Sequence, residues 1–445
     1  MFQENLIFMR RIFFIMLMLS AVFKPGLIFA QDNINNINLK PESLQDMSLS
    51  ECLNIALENH PSIRKSKSAK ESAAVQLEQI KINNRMTMNV TGNLNYNGDF
   101  DDAGDGYHSE GLNLNASKLI YDTGKNKLQQ KIKYQSLLGA NETEFNTKIT
   151  VATNARRAYY DLVLKNLNRD VEQEKLNNLE QHLITAKGLY DVGKNAFIEI
   201  TKAQSDVASA RVSLLKSEND ILSSREALRV AMGLDINDPF KINLSTGLFL
   251  PAPVPEIDEL IKIALNDRPD YKKLLHDVEG GKLSITEAAR TSSPTLNGSI
   301  GSGISKREGD SSTNNYNFGL SLNIPVVDAG AKKSAVNLAK SELNQINADV
   351  DALRQNIIYS VRSAALSLKN AVDRVRSSEL SVKYAQENLE LARGRYEVGV
   401  GDALELSDAV SDLAEARYTY YQALYDSQSA LSDLYEALGH LPEEI

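Results

Sequence analysis

The sequence has a single cysteine, Cys52, and no tryptophan. One cysteine cannot close an intrachain disulfide, and Cys52 does not lie at the expected cleavage site of an N-terminal leader. A disulfide framework and an N-terminal lipid-anchored cysteine are therefore both disfavoured. Because a free cysteine behaves as a small hydrophobe, we predict that Cys52 is a core residue of the first amphipathic helix.

Motifs that carry chemistry are also missing. The histidines do not have the spacing of metal ligands. They are His60, His108, His182, His276 and His440. The chain has no nucleophile elbow, no zinc-protease helix and no phosphate loop. The stretch from Asp99 to Glu110 approaches a calcium-loop pattern, but Ala103 interrupts it and strands flank it, so we interpret it as an acidic turn. We therefore predict a protein that is not an enzyme and has no cofactor or metal.

The chain lacks an excess of basic residues, since its formal net charge is −9. An acidic balance of this size argues against a nucleic-acid partner. It is compatible with a soluble acidic domain or with a lumen that attracts cations, and composition does not separate these two interpretations.

Only one long apolar run is present, and it lies at the N-terminus. Arg10 and Arg11 precede an apolar stretch from Ile12 to Phe23, and Ala30 ends a small-residue site. This order predicts a secretory signal peptide over residues 1–30, with Met1 or Met9 as its start. The run is shorter than the about 20 residues of a spanning helix, so we expect no transmembrane helix in the mature chain.

Beyond these absences, the most informative feature is an internal repeat. Ala56–Lys65 returns as Ala264–Lys273, and Leu189–Gly193 returns as Arg395–Gly399. The interval of about 200 residues is far longer than a solenoid period of roughly 20–50 residues, so it predicts two similar halves of one architecture. We predict a flexible leader at residues 31–47, a first repeat at 48–235, a connector at 236–255 and a second repeat at 256–445.

Each half is predicted to run helix, strand, turn, strand, long helix, tip and helix. The first helix opens with a capping box formed by Ser48 and Glu51. The strands alternate apolar and polar side chains. Their apolar members are Met88, Val90, Leu94, Tyr96, Leu112, Leu114, Ala116, Leu296, Ile300, Ile304, Tyr316, Phe318, Leu320, Leu322 and Ile324. The residues between them are mostly Asn, Ser, Thr and Gly.

Alternation over roughly ten residues is typical of a transmembrane β-strand, with apolar side chains towards lipid and polar ones towards a lumen. A soluble hairpin with one buried face is the alternative for any single strand. Four such strands with polar connecting loops favour the membrane interpretation. Four strands cannot close a barrel, and an open edge is costly in hydrocarbon. Closure would therefore involve two, three or four copies of the chain.

Two very long helices are predicted at Gly124–Tyr190 and Gly330–Tyr396. At about 1.5 Å per residue each would run roughly 100 Å, longer than any ordinary globular domain requires. Along the second helix apolar residues alternate in steps of three and four, apart from a stutter between Ile357 and Val361. Such a narrow stripe packs helix against helix without enclosing a large core. The predicted fold class is mainly α with a small β portion.

The double repeat, the leader, the paired strands, the long helices and the tip motifs YDVG and YEVG together resemble the TolC family of outer-membrane export channels. The resemblance covers essentially the whole mature chain. It implies a homotrimer in which very long antiparallel helices form a periplasmic α-barrel below a twelve-stranded transmembrane β-barrel in outer-membrane lipid. The implied location is the bacterial outer membrane, with a long periplasmic portion.

The function implied by this resemblance is the exit duct of a tripartite efflux pump or of a type I secretion system. Such a duct performs no chemistry itself. It receives its substrate from a periplasmic adaptor protein and an inner-membrane pump of the RND or ABC type.

The second tip carries the candidate gate. By the same resemblance, Glu405 and Asp408 occupy the positions where acidic residues ring the periplasmic entrance, and Tyr396 matches a tyrosine that helps to latch it. Gly401 stands where the best-known members carry an arginine, which leaves the latch without that cation. Asp402 and Glu405 also have capping-box spacing, which is a purely structural alternative. We hypothesise that three copies of Glu405 and Asp408 form a ring that selects cations and binds divalent ions.

Both tips are candidate docking surfaces. The residues that the resemblance implies for contact with an adaptor are Val192, Gly193, Val398 and Gly399. A positive-φ turn is the structural alternative for the two glycines. The first-half positions equivalent to the gate carboxylates are Glu199 and Lys202, so the two halves are not interchangeable at the entrance.

An alternative from another class is a secreted periplasmic coiled-coil scaffold or envelope tether without a channel. It would use the same helices and would need the strand hairpins only as soluble caps. It does not require four in-phase strands or a repeated acidic tip, and both features therefore favour the channel.

Overall fold

The computed structural model describes residues 46–97, 107–194, 196–236, 239–243, 247–251, 255–307 and 309–442. The predicted signal peptide (1–30), nearly all of the predicted leader and residues 99–106 of the acidic turn lie outside the described residues. The described part of the chain belongs to one structural unit that begins at Asp46.

The chain is mainly helical and carries one small sheet of long strands, which confirms the predicted fold class at this level. The first half contains β1 (Asp46–Met47), α1 (Leu49–Asn59), α2 (Pro61–Ile82), β2 (Thr87–Asn97), β3 (Tyr107–Tyr121), α3 (Lys125–Asp191) and α4 (Phe197–Met232). The second half contains β4 (Lys241–Ile242), α5 (Ile257–Asp267), α6 (Pro269–Ala288), β5 (Thr295–Arg307), β6 (Thr313–Asn323), α7 (Ala331–Glu397) and α8 (Ala403–Leu438). The short strands β1 and β4 pair in parallel.

The two longest helices, α3 and α7, contain 67 residues each. Each starts one residue later than predicted, because Gly124 or Gly330 is a left-handed N-cap residue (φ 78° and 88°) instead of the first helical residue. The Asp122 carboxylate accepts hydrogen bonds from the amides of Gly124 (2.8 Å) and Asn126 (2.6 Å) and so caps α3. Asp328 caps α7 in the same way, accepting from the amide of Gly330 at 3.0 Å.

None of the helices in the described part combines the length and the apolar character that crossing a bilayer requires.

The predicted first helix of each half is wrong in one respect, since it is two helices. α1 gives way to α2 at Pro61, and α5 gives way to α6 at Pro269. The residue before each proline, His60 or Arg268, has a non-helical ψ of 130° or 123°, because the proline ring disfavours helical backbone there. Each proline then takes the first helical position, where its missing N–H costs no hydrogen bond.

The glycine that closes each half packs against this proline break. Gly233 and Gly439 follow the last residues of α4 and α8 with positive φ (69° and 78°). A Cβ on Gly233 would lie 2.6 Å from the Cα of His60, and one on Gly439 would lie 2.7 Å from the Cα of Arg268. The closing glycine therefore contacts the backbone of the residue before the proline, His60 or Arg268, once in each half.

The long strands β2, β3, β5 and β6 form one antiparallel sheet in that order. Its register places Val90 opposite Leu114 and Ile300 opposite Phe318, so the predicted apolar residues share one face and the alternation is confirmed. This face is open in the single chain, where Tyr316 is 91% exposed. Within the described residues β2 and β6 have a strand partner on one side only.

The opposite face of the sheet carries rows of Asn, Gly, Ser and Thr. Gly301 lies between Asn115 and Asn317 across the strands, and Gly303 has the same surroundings in the next row. A Cβ on Gly301 would lie 2.6 Å from the amide oxygen of Asn115. Both glycines are buried although the face is open, because neighbouring asparagine amides lie over them. The result is a flat polar surface without charge in these rows.

The helical core begins at α1, which packs against α3 and α4. Cys52 is fully buried in this cluster, as predicted, and burial raises the pKa of its thiol to about 12. The predicted capping box at the start of α1 is also present. Ser48 Oγ accepts from the amide of Glu51, and Glu51 accepts from the amide of Ser48 at 2.7 Å.

Candidate gate and docking surfaces at the helix tips

Four helices form two antiparallel hairpins, which we call hairpin 1 (α3 and α4) and hairpin 2 (α7 and α8). At the tip of hairpin 1, Gly193 has φ 76° and donates to the carbonyl of Tyr190 at 2.8 Å. At the tip of hairpin 2, Gly399 has φ 79° and donates to the carbonyl of Tyr396 at 3.0 Å. The residue that follows a helix end often has a left-handed backbone, and glycine adopts this conformation most readily. The turn interpretation of both tip glycines is therefore confirmed.

The two tips expose apolar side chains beside these glycines. Val192 is 68% exposed and Val398 is 74% exposed. Phe197 and Ile198 at tip 1 and Val400 at tip 2 are exposed as well. Each tip is therefore a small convex surface with an apolar end, at the point farthest along both long helices.

At tip 2 the capping-box expectation is only half met. The Asp402 carboxylate accepts a hydrogen bond from the amide of Glu405 at 2.7 Å and caps α8. The Glu405 side chain instead reaches Arg395 near the end of α7, with Oε1 3.2 Å from Nε of the guanidinium. Both groups are about half exposed, so this ion pair is worth less than about 1 kcal/mol. The Glu405 side chain therefore forms an ion pair with Arg395 and does not complete the capping box.

Arg395 is the residue that sequence reasoning missed. We expected the latch to lack its cation because Gly401 replaces an arginine, and Arg395 supplies a cation from the other side of the turn. Gly401 makes this approach feasible, since its added Cβ would lie 3.0 Å from the Cβ of Arg395 and 3.2 Å from Oε2 of Glu405. The amides of Val400 and Gly401 both donate to the carbonyl of Arg395 at 2.9 Å. The one sequence signal was Arg395 itself, because Leu189 occupies the equivalent position in the first half.

Asp408 lies one turn further along α8 than Glu405, and both carboxylates are exposed. Asp412 and Glu415 continue the same exposed acidic line along the helix. Within the described part of a single chain, no group of three His, Cys, Asp or Glu residues is arranged to hold a metal ion. Any ring of these carboxylates would therefore have to be completed by other copies of the chain.

Tyr396 lies in a different environment from the two carboxylates. It is 4% exposed and belongs to an apolar cluster that includes Leu176 of α3 and Leu406 of α8. Its ring meets the ring of His182 edge to face, with centroids 5.0 Å apart and planes at 63°. In the single chain Tyr396 thus contacts the inside of hairpin 1, whereas Glu405 and Asp408 face outward.

Polar contacts tie the two hairpins together above the tips. Ser407 Oγ of α8 donates to the Asp206 carboxylate of α4 at 3.1 Å. Arg393 of α7 donates to the amide oxygen of Asn178 of α3 at 2.8 Å. Together with the buried Tyr396, these contacts join hairpin 2 to hairpin 1 through all four helices.

Further from the tips the ties continue on α8. Arg417 forms an ion pair with Glu174 of α3. Tyr418 donates its hydroxyl to Glu172 of α3 at 2.6 Å. Burial, together with the Glu172 carboxylate, raises the pKa of the Tyr418 hydroxyl well above its ordinary value. This tyrosine therefore remains a protonated donor to α3 at any physiological pH.

Two hairpins of very long helices and a small antiparallel sheet with one open apolar face are the architecture predicted for a channel of the bacterial envelope. The chain belongs to the outer membrane efflux protein family, whose model matches residues 52–234 and 260–440. It is 22% identical over 420 residues to the cation efflux system protein CusC of Escherichia coli (strain K12), covering 93% of this chain and 91% of the relative. It is also 22% identical over 414 residues to the outer membrane protein TolC of Vibrio cholerae, covering 89% and 92%.

Solved structures share the fold. The open state of the MtrE outer membrane channel of Neisseria gonorrhoeae matches with a TM-score of 0.76 and 20% identity, covering 88% of this chain and 89% of that chain. A CusC structure matches with a TM-score of 0.75 and 22% identity, covering 89% and 93%. The prediction of a TolC-like family is confirmed. The protein is an outer-membrane efflux channel with a long periplasmic portion, and the scaffold alternative finds no support.

Proposed function

We propose that three copies of the chain assemble into one exit duct. Each copy contributes four strands to a twelve-stranded β-barrel in the outer membrane. The observation that carries this proposal is the four-stranded sheet, which has one open apolar face and, within the described residues, two open edges at β2 and β6. In hydrocarbon each unpaired backbone group costs several kcal/mol, so a sheet of this kind must close on further copies.

The outer faces of the helices support the same assembly. Large apolar side chains remain exposed on hairpin 1 at Val212, Leu215 and Leu222, and on hairpin 2 at Leu366 and Leu391. Large apolar side chains that stay exposed along the outside of long helices are typical of a surface that another protein chain covers. Neighbouring copies in a ring of long helices would bury these residues and form a periplasmic α-barrel.

The native mass in detergent tests this assembly. We expect protein extracted from an outer-membrane fraction to migrate as a heat-labile trimer. A soluble periplasmic monomer or dimer would contradict both the barrel and the duct.

We propose that the duct is passive and carries out no catalytic chemistry. A periplasmic adaptor and an inner-membrane pump of the RND or ABC type would deliver the substrate to it. The exposed apolar tips around Val192, Gly193, Val398 and Gly399 support docking of the adaptor at this end. Apolar side chains beside rigid glycine turns offer a partner a preformed surface at little entropic cost.

Crosslinking tests the docking surface. Cysteines introduced by Lys194→Cys or Val400→Cys are expected to form adducts with the adaptor. The native Cys52 is fully buried and should not react, so an unmodified chain serves as the control. A cysteine at the exposed Ser223, about 39 Å along α4 from Phe197, is the matched position. Equal adducts at Ser223→Cys and at the tips would count against specific docking.

We propose that Glu405 and Asp408 of three copies line the periplasmic entrance, and that Tyr396 helps to hold it closed. The exposure of both carboxylates on one face of α8 supports the lining role. The contact of Tyr396 with hairpin 1 supports its latching role, because it attaches the gate-bearing hairpin to its neighbour. Arg395 joins this set as the cation that neutralises part of the charge of Glu405.

A further inference from the structure

His182 is a buried histidine that the gate as described above does not use. It lies on α3, is 5% exposed and packs edge to face against Tyr396 of hairpin 2. Its Nδ1 is buried and has no hydrogen-bond partner among the described residues. The equivalent position in the second half is Asn388, so this histidine belongs to one hairpin only.

We propose that His182 is a positioning residue for the gate, whose uncharged ring holds Tyr396 and hairpin 2 in the packed state and whose protonation releases them. The inference rests on the proposed function, because it takes Tyr396 to be part of the gate. It adds a chemical signal, acidification of the periplasm, to which the entrance responds.

The buried Nδ1 of His182, which has no hydrogen-bond partner among the described residues, explains why protonation opposes packing. In a neutral imidazole one ring nitrogen is an acceptor, so Nδ1 can stay buried as an unprotonated lone pair at modest cost. In the protonated ring both nitrogens are donors, and the N–H at Nδ1 would be buried without an acceptor. The charge itself is also unfavourable in the apolar cluster around Tyr396. Protonation therefore opposes the packing that holds the two hairpins together.

The groups that act electrostatically on His182 come chiefly from α4. Burial lowers the pKa of His182, Asp206 and Glu199 oppose that shift, and Lys202 adds to it. Asp206 is itself tied to hairpin 2 through Ser407. From α7 the ring meets Tyr396, and Arg393 is held by Asn178 one turn earlier on α3. The two carboxylates are thus not sufficient to stabilise the charged ring.

The direction of the pH effect follows from this lowered pKa. A histidine released to solvent has a pKa near 6.5. Because the packed ring binds its proton less readily than the released ring, packing is fully stabilised above about pH 6.5 and weakens as the pH falls below that value. A histidine released to solvent changes its charge across the interval from about pH 7.5 to 5.5, so the test is made in that interval.

The first test is the conductance of trimers in planar bilayers between pH 7.5 and 5.5. We expect a several-fold rise in conductance on acidification in the native channel. His182→Phe keeps an aromatic contact with Tyr396 but cannot be protonated, so we expect a low conductance at both pH values. The control is His276→Gln, which replaces a half-buried histidine of α6, outside the two hairpins. This variant should retain the pH response.

The second test needs no variant. Hydrogen–deuterium exchange at the histidine C2 position, read by mass spectrometry on intact trimers, gives the half-protonation pH of each histidine. We expect a value for His182 below that of a free histidine. A value at or above it, or a pH response that survives His182→Phe, overturns the inference. Failure of the native protein to form any channel would instead contradict the proposed duct, whichever value the exchange gives.

Discussion

The tips of the two hairpins share one backbone and differ in their side chains. Both follow 67-residue helices, and both turn through a left-handed glycine. At tip 1 the rings of Tyr190 and Phe197 meet at 5.8 Å, whereas tip 2 is joined by the Arg395–Glu405 ion pair. Glycine and backbone amides set the turn in both tips, and the side-chain contact across the turn differs. Tip 1 is closed by an aromatic pair and tip 2 by an ion pair.

The same comparison applies to the two tyrosines that precede the turns. Tyr396 is buried between the hairpins, while the equivalent Tyr190 is 42% exposed. Tyr396 faces the inside because His182 and the apolar cluster of hairpin 1 receive its ring. The hairpin with the acidic residues is therefore also the hairpin whose tip is anchored to its neighbour.

The largest effect is expected from truncating these tyrosines. Tyr396→Ala removes a buried ring and leaves a cavity, which should cost about 4 kcal/mol of stability. The control Tyr190→Ala removes a partly exposed ring and should cost about 1 kcal/mol. The temperature at which the trimer dissociates measures both. Equal losses would mean that the two tips are anchored alike.

A smaller effect is expected at the glycines that end each half. Gly439→Ala requires a positive φ and a Cβ in the space occupied by the backbone of Arg268, so we expect a loss of about 3 kcal/mol. Gly193→Ala has the same backbone strain at tip 1 but meets no atom within 4 Å, so its loss should be about 1 kcal/mol. The temperature at which the trimer dissociates again measures both variants. A loss of stability in Gly193→Ala as large as that in Gly439→Ala would contradict the expected difference.

The smallest effect on stability is expected at the ion pair of tip 2. Arg395→Gln removes an exposed partner of Glu405 and should change stability by less than about 1 kcal/mol. It should nevertheless raise cation selectivity, because Glu405 is then no longer partly neutralised. Leu189→Gln at tip 1 is the matched control and should leave selectivity unchanged. Reversal potentials under a salt gradient give the result, and unchanged cation selectivity would place Glu405 away from the permeation path.

Much of this architecture could be predicted from local sequence patterns. Alternation through Tyr316 and Phe318 identified a strand with one apolar face, and Ser48 with Glu51 identified a helix start. Both are short-range signals that the final fold did not override. Pro61 and Pro269 were equally visible, yet the breaks they cause were not predicted, because the residues on both sides of each proline were assigned to one helix.

The tip chemistry could be predicted only in part, because it depends on contacts across a turn. Asp402 and Glu405 have the spacing of a capping box, like Ser48 and Glu51, but Arg395 competes for the glutamate and only the Asp402 half forms. No local pattern distinguishes a buried tyrosine from an exposed one at equivalent positions. These differences arise from packing between the hairpins, which a repeat within the sequence does not reveal.

If the charged tip of hairpin 2 lines the entrance and the tip of hairpin 1 does not, charge changes at the two tips must affect permeating ions differently. Ion selectivity of trimers in planar bilayers measures this most directly, with Asp408→Asn compared with Lys202→Gln at the equivalent position of hairpin 1. We expect Asp408→Asn to lower cation selectivity and to weaken block by divalent ions, and Lys202→Gln to change neither. Unchanged selectivity and block in Asp408→Asn would mean that Asp408 does not line the entrance.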